Sequence, residues 1–244
     1  MIMPAEFSLE EFQIFLEDYT DSLNASYLPA TKLNRQKARE EIKTLYQKVP
    51  VGYGLTKPRI FQEPKQLLFN ELYSEVNVLG FMGPFMAESQ LNQELSDLEY
   101  PFTYAHELAH LLGISNEAEA NYWAFTICNT SKDPVIRYSA YLSLLSYVAQ
   151  NTRMAFTKEK YEEWLNSLKP EVVEDERQII NYWKRRKNST LNTIQETLYN
   201  LFLKSNNIQN GIQNYSEVLS MLISVKESQK EPLRRQGRAL SVKQ

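Results

Sequence analysis

Cysteine occurs once in this chain, histidine twice and glycine seven times among 244 residues. With Cys128 alone no intrachain disulfide can form, and its place in an apolar run marks a small core residue rather than a nucleophile. Scarce glycine argues against a turn-rich β protein and for helices. No apolar run approaches the ~18–20 residues of a membrane-spanning helix, and the N-terminus carries no signal-peptide core, so the sequence as it stands predicts a soluble chain. The formal net charge is −3, which gives no electrostatic ground for nucleic-acid binding. The basic stretch Arg234-Arg235-Gln236-Gly237-Arg238 is the local exception and reads as a solvated tail.

What is present is an ordinary apolar fraction on a chain long enough to bury a core. Ser8-Leu-Glu-Glu11 is a capping box, followed by Phe12, Phe15, Leu16, Tyr19 and Leu23 at helical spacing. Pro29 closes that helix. A second is predicted from about Thr31 to Lys48, with Leu33, Ile42, Leu45 and Tyr46 facing inward. Between Arg59 and Asn92 short apolar pieces alternate with proline and glycine, which predicts a small antiparallel sheet with a short helix near Glu71 and a turn at Gly83-Pro84. The segment Phe85 to Leu91 fits two roles, an edge strand open to an extended peptide or an internal strand of that sheet.

After Pro101 the pattern is helical. Phe102 to Leu112 is followed by a helix capped by Ser115 or Asn116, then by Asp133-Pro134 opening a helix to about Ala149. Its tyrosines, Tyr138 to Tyr147, read as core packing. Thr157 caps a further helix, a charged one spans about Glu171 to Lys187, and two more are predicted near Leu191–Leu203 and Ser216–Val225. There is no repeat or low-complexity linker, so one domain, 1–244, is expected. Within it 1–50 form N-terminal helices, 51–100 the small sheet, 101–130 the candidate metal-site helices and 131–244 a helical subregion.

Both histidines, His106 and His110, fall in His106-Glu107-Leu108-Ala109-His110. Four residues apart on a helix, their imidazoles share one face and can reach one metal ion. Glu107 lies about 100° round, where it can touch a water at the metal without ligating the ion. A tetrahedral zinc site with an open fourth position needs a third protein ligand, and one helix cannot wrap round the ion to supply it. Gly113 can reverse the chain there, and Asn116-Glu-Ala-Glu-Ala-Asn121 begins a new helix with two carboxylates. Glu117 comes directly after the turn, while Glu119 points about 200° away from it on an ideal helix. The geometry favours Glu117, with Glu119 as the alternative. Asn121, one turn beyond Glu117, is a candidate amide for orienting a histidine from behind. Arg137, Tyr138 and Tyr141 on the next helix are candidates for stabilising an oxyanion.

The run Pro101-Phe-Thr-Tyr-Ala-His-Glu-Leu-Ala-His110, with Gly113 and Glu117-Ala-Glu-Ala-Asn-Tyr122, resembles a bacterial zincin-like family, a domain of unknown function (number thirty-eight ten). Lys132-Asp-Pro, Arg137-Tyr-Ser-Ala-Tyr141, Tyr182-Trp183, Asn214-Tyr215-Ser-Glu-Val-Leu219 and, more loosely, Phe81 to Asn92 also match, so the resemblance runs from about Tyr53 to Val225. It implies a metallopeptidase-like fold in which a glutamate completes the zinc site, with His106, Glu107 and His110 in the family's roles and the third ligand within Glu117 to Asn121. The expected fold class is thus α+β and mostly helical, with a small antiparallel sheet before the metal-site helix and a helical bundle after it. Members of the family carry membrane-spanning helices before this domain, which stands outside the cytoplasm at the cell envelope. Any membrane attachment would come through a segment absent from this chain.

Two functions are expected on these grounds. One is a zinc-dependent metallopeptidase acting on peptides or proteins, with Glu107 as general base. The other is a binding or regulatory domain in which zinc holds the helical hairpin together without catalysis.

Overall fold

The structure, a computed structural model, describes residues 6–29, 32–83, 88–188 and 217–225. Eight helices and three short strands succeed one another within the first three of these stretches. The predicted helix near Leu191–Leu203, the basic stretch Arg234–Arg238 and, of the turn at Gly83-Pro84, Pro84 lie outside the described residues. So does Ser216 at the start of the last predicted helix, whose remaining residues 217–225 are helical.

Helix α1 (Leu9–Ser26) opens with the capping box: Ser8 Oγ accepts from the Glu11 N–H at 3.2 Å, and Glu11 accepts in return from the Ser8 N–H at 2.6 Å. Its apolar stripe Phe12, Phe15, Leu16, Tyr19 and Leu23 is buried. Helix α2 (Arg35–Lys48) begins at its Asn34 cap rather than at Thr31. It buries Ile42 and Tyr46, with Leu33 buried just before it and Leu45 half-buried.

Strand β1 (Lys65–Gln66), helix α3 (Asn70–Glu75), β2 (Gly80–Gly83) and β3 (Glu88–Leu91) form the sheet region. The strand order is β1-β3-β2. β2 and β3 pair antiparallel, as expected, but β1 pairs parallel to β3, so the sheet is mixed rather than antiparallel. The reason is connectivity: β1 reaches β3 by a crossover through α3 and β2, long enough to return the chain in the same direction. Of the two roles open to Phe85–Leu91, its described part, β3, takes the internal one, with both edges paired.

Helix α4 (Tyr100–Leu111) is the axis of the molecule. It packs against α2, β2, β3, α5 (Glu117–Asn129) and α6 (Pro134–Ala155). Tyr104, Ala105, Leu108 and Ala109 on it are inaccessible to solvent. Its ends are satisfied by other elements. Ser139 of α6 accepts from the Phe102 N–H at 3.2 Å. At the far end Gln62 donates to the Leu111 carbonyl at 2.7 Å, and Thr56 donates from both N–H and hydroxyl to the Leu112 carbonyl.

Helices α7 (Lys158–Ser167) and α8 (Pro170–Arg186) complete the described chain with residues 217–225. The Trp183 indole of α8 donates to Glu99 at the base of α4, and Arg186 and Tyr182 bind Glu94 in the loop before it. With the exception of Leu67, the buried apolar residues from α1 to 217–225 belong to one core. Cys128 sits in that core, 0% exposed, and burial pushes its thiol well above the usual range, so it is inert packing. Among the described residues no helix is long and apolar enough to cross a membrane.

Candidate metal centre

Both histidines project from the C-terminal half of α4, and the turn that ends this helix determines how they are held. Gly113 adopts φ +112°, a conformation side chains other than glycine's avoid. The Gly113 N–H bonds the His110 carbonyl at 3.0 Å and the Ile114 N–H bonds the Ala109 carbonyl at 3.1 Å. This is the paired pattern of a Schellman turn. It delivers the Ile114 carbonyl to His110, whose Nδ1 lies 2.7 Å from that oxygen. A carbonyl only accepts, so in the neutral ring Nδ1 carries the proton and Nε2 keeps the lone pair that a metal would take.

Three residues beyond the turn, Asn116 caps α5 by accepting from the Glu119 N–H at 2.8 Å. Glu117 is then the first residue of α5, and its carboxylate reaches back to α4. One oxygen is 3.2 Å from His106 Nε2 and the other 3.5 Å from His110 Nε2, while the two Nε2 atoms are 3.1 Å apart. His106, His110 and Glu117 thus converge on one point. Glu119, 4% exposed, is not in that cluster.

The donor set can be tested against a metal. Bonds of about 2.0–2.1 Å in a tetrahedron place ligand atoms about 3.3–3.4 Å apart. The two Nε2 atoms, 3.1 Å apart, are near that value, and one ligand atom from each of the three residues lies within 4.8 Å of the others. The donors are two imidazoles and a carboxylate, the types a divalent zinc-like ion takes. Their exposures also fit. The side chains of His106 and His110 are 15% and 6% exposed, whereas that of Glu117 is 54% exposed, so the cluster opens outward past Glu117.

Electrostatics reflects this crowding. Burial alone would raise the Glu117 carboxyl, but hydrogen bonds and charge from His106 and His110 outweigh it and hold the group far below the usual carboxylate range. Burial works to lower His110, and the Glu117 carboxylate outweighs it and raises the imidazole. Glu107 behaves differently. It is 4% exposed, and burial raises its pKa against the lowering influence of His106, Ser89 and His110. A carboxyl held that way is a stronger base than a solvated one.

Glu107 is held by the sheet. The Ser89 hydroxyl of β3 donates to its Oε2, and its side chain lies against the backbone of Gly80 on β2. Sequence reasoning singles out neither residue. Ser89 leaves no signal there, whereas Gly80 within an apolar extended segment is a mark of close backbone approach.

The remaining candidates are engaged elsewhere. Asn121 donates to the Tyr147 hydroxyl at 3.2 Å, and it is the Ile114 carbonyl that orients His110. Arg137 donates to the Ser131 carbonyl at 2.7 Å and ties down the turn before α6. The fully buried Tyr138 donates to Asp175 of α8 at 2.8 Å, and Tyr141 packs edge-on against Phe125 while its carbonyl accepts from Tyr19. None of these contacts is to the histidine–glutamate cluster.

No curated protein and no solved structure matches the chain. A family model described as "Protein of unknown function (DUF3810)" matches residues 1–223, and the chain belongs to that family.

Proposed function

We propose that this protein is a zinc-dependent metallopeptidase with a zincin-like fold, of the type in which a glutamate completes the zinc site. The observation that carries the reading is the convergence of His106, His110 and Glu117, one ligand atom from each within 4.8 Å of the others, beside the buried Glu107 carboxyl. The two Nε2 atoms and a Glu117 oxygen would hold the ion. Bound zinc supplies Lewis acidity toward a scissile carbonyl and brings the pKa of a water from ~15.7 toward about 7. Glu107 accepts the proton of the attacking water and later delivers it to the leaving amine nitrogen as the C–N bond breaks. The Ile114 carbonyl keeps the His110 ring in the tautomer and orientation a ligand needs. Placement at the cell envelope, on peptides or proteins there, belongs to the same proposal and rests on the family resemblance; cell fractionation tests it.

The enzyme reading is tested by metal analysis of the purified protein and then digestion of a mixed peptide library. We expect about one zinc per chain and cleavage that disappears in Glu107→Ala. A zinc-loaded protein that cuts nothing beyond that control overturns it.

One observation favours a second reading, a non-catalytic domain in which zinc staples α4 to α5. Glu107 is sequestered and hydrogen-bonded by Ser89, which is also how a purely structural carboxyl is held. On that reading Glu107→Gln leaves cellular function intact, while His110→Ala abolishes function and lowers the melting temperature.

A further inference from the structure

Glu107 has three side-chain torsions, and a general base is effective only within hydrogen-bond reach of the proton it takes. Two features of the sheet remove that freedom. Ser89 is one of the two buried positions of β3, 1% exposed, and its hydroxyl donates to Glu107 Oε2 on α4. On the neighbouring strand, a Cβ placed on Gly80 would stand 2.6 Å from Cδ and 2.7 Å from Cγ of Glu107, closer than real contacts allow. Gly80 has no positive φ, so its backbone does not demand glycine. What a side chain there would displace is the outer part of the Glu107 side chain.

We propose that Ser89 and Gly80 form a seat that positions the Glu107 carboxyl, Ser89 by fixing one oxygen and Gly80 by leaving room for the side chain. They are positioning residues that act through Glu107 and touch no substrate. The register places Gly80 opposite Leu91 and Met82 opposite Ser89, so the antiparallel pairing of β2 with β3 brings both halves of the seat over the same turn of α4. The small sheet is therefore part of the catalytic apparatus. As a statement about catalysis this rests on the peptidase reading; as a statement about what holds Glu107 it does not.

Two measurements test the seat, one of them independent of activity. In thermal unfolding of the metal-free protein, Gly80→Ala lowers the melting temperature in the wild-type background. It has little effect in a Glu107→Ala background, where the clashing atoms are gone. Likewise the melting-temperature losses of Ser89→Ala and Glu107→Ala are not additive. Equal effects of Gly80→Ala in both backgrounds, or additive losses for the serine pair, overturn the proposal.

The second measurement is steady-state cleavage of a peptide taken from the library, by the zinc-loaded protein. Ser89→Ala lowers kcat about 10- to 100-fold, the scale of a carboxyl misplaced by about an ångström. KM stays within about twofold and zinc content is unchanged, and Ser89→Thr, which keeps the hydroxyl, restores most of the rate. An unchanged kcat in Ser89→Ala, or a loss of rate that tracks loss of zinc, overturns it. A wild-type protein that cuts nothing would defeat the peptidase reading instead, and the unfolding cycles would then decide the seat alone.

Discussion

Gly113 links the end of one helix to the state of one imidazole. Its positive φ lets the turn place the Ile114 carbonyl against His110 Nδ1, so backbone conformation at one position fixes which nitrogen of its neighbour faces the metal donors. A Cβ there is sterically tolerable, since the nearest atom, the Gly54 carbonyl oxygen, would be 3.4 Å away. The cost of Gly113→Ala is thus conformational, about 1–3 kcal/mol for a non-glycine residue forced into that region. Chemical denaturation of the metal-free protein should show that loss, and a competition titration should show weaker zinc binding as the Ile114 carbonyl shifts. An affinity equal to wild type would separate the turn from the tautomer. The glycine and both histidines are legible in the sequence because each has a spacing that means something, and Glu117 is legible as one of two carboxylates, with Glu119, that the spacing allows. The Ile114 carbonyl is not, because a backbone acceptor is independent of the side chain that carries it.

Among the elements, the helices were legible and the sheet was only half so. Ser8, Asp133 and Thr157, and Asn116 of the pair Ser115 and Asn116, cap the helices that come after them as the sequence predicts, because a short polar side chain before an apolar stripe satisfies orphan N–H groups. Asn34 does the same for α2, three residues past the predicted start. Strand β1 is two exposed residues, Lys65 and Gln66, with no alternation to reveal its direction or partner. Its parallel pairing depends on the crossover and could not be read locally. How α4 is anchored was equally hidden: the fully buried Tyr46 of α2 donates to the Ala105 carbonyl at 2.8 Å, one residue before His106. Burial pushes that hydroxyl well above the usual range, so it is a donor at neutral pH. Tyr46→Phe removes the donor and keeps the ring, with an expected loss of about 0.5–1.5 kcal/mol. Urea unfolding checks this: the midpoint falls with an unchanged slope, since the same surface is exposed on unfolding.

For the molecule as a whole, the docking of α8 onto the base of α4 and the loop before it makes stability depend on pH in two opposing senses. Glu176 of α8 is half-buried, and burial first, then the negative charge of Glu99, push its carboxyl up to about 7. In the unfolded chain it titrates near 4.5. Below that value both states carry the proton and the group is neutral toward folding. Between about 4.5 and 7 the unfolded chain has released the proton while the folded protein retains it, so stability falls as pH rises through this window and levels off above it. Glu94 acts in the opposite sense: the hydrogen bond from Arg186 is the main influence lowering its carboxyl, so its contribution is full above the unfolded value and is lost as pH falls. Glu176→Gln reads out the first effect, because a neutral amide has nothing to release while Glu94 and Arg186 are left in place. The melting temperature of the variant relative to wild type should therefore rise from pH 5 to pH 7.5 and stay constant beyond. A difference that is flat across that range would mean that the carboxyl ionises in the fold as freely as in the unfolded chain, and that α8 docks without the burial that sets its charge.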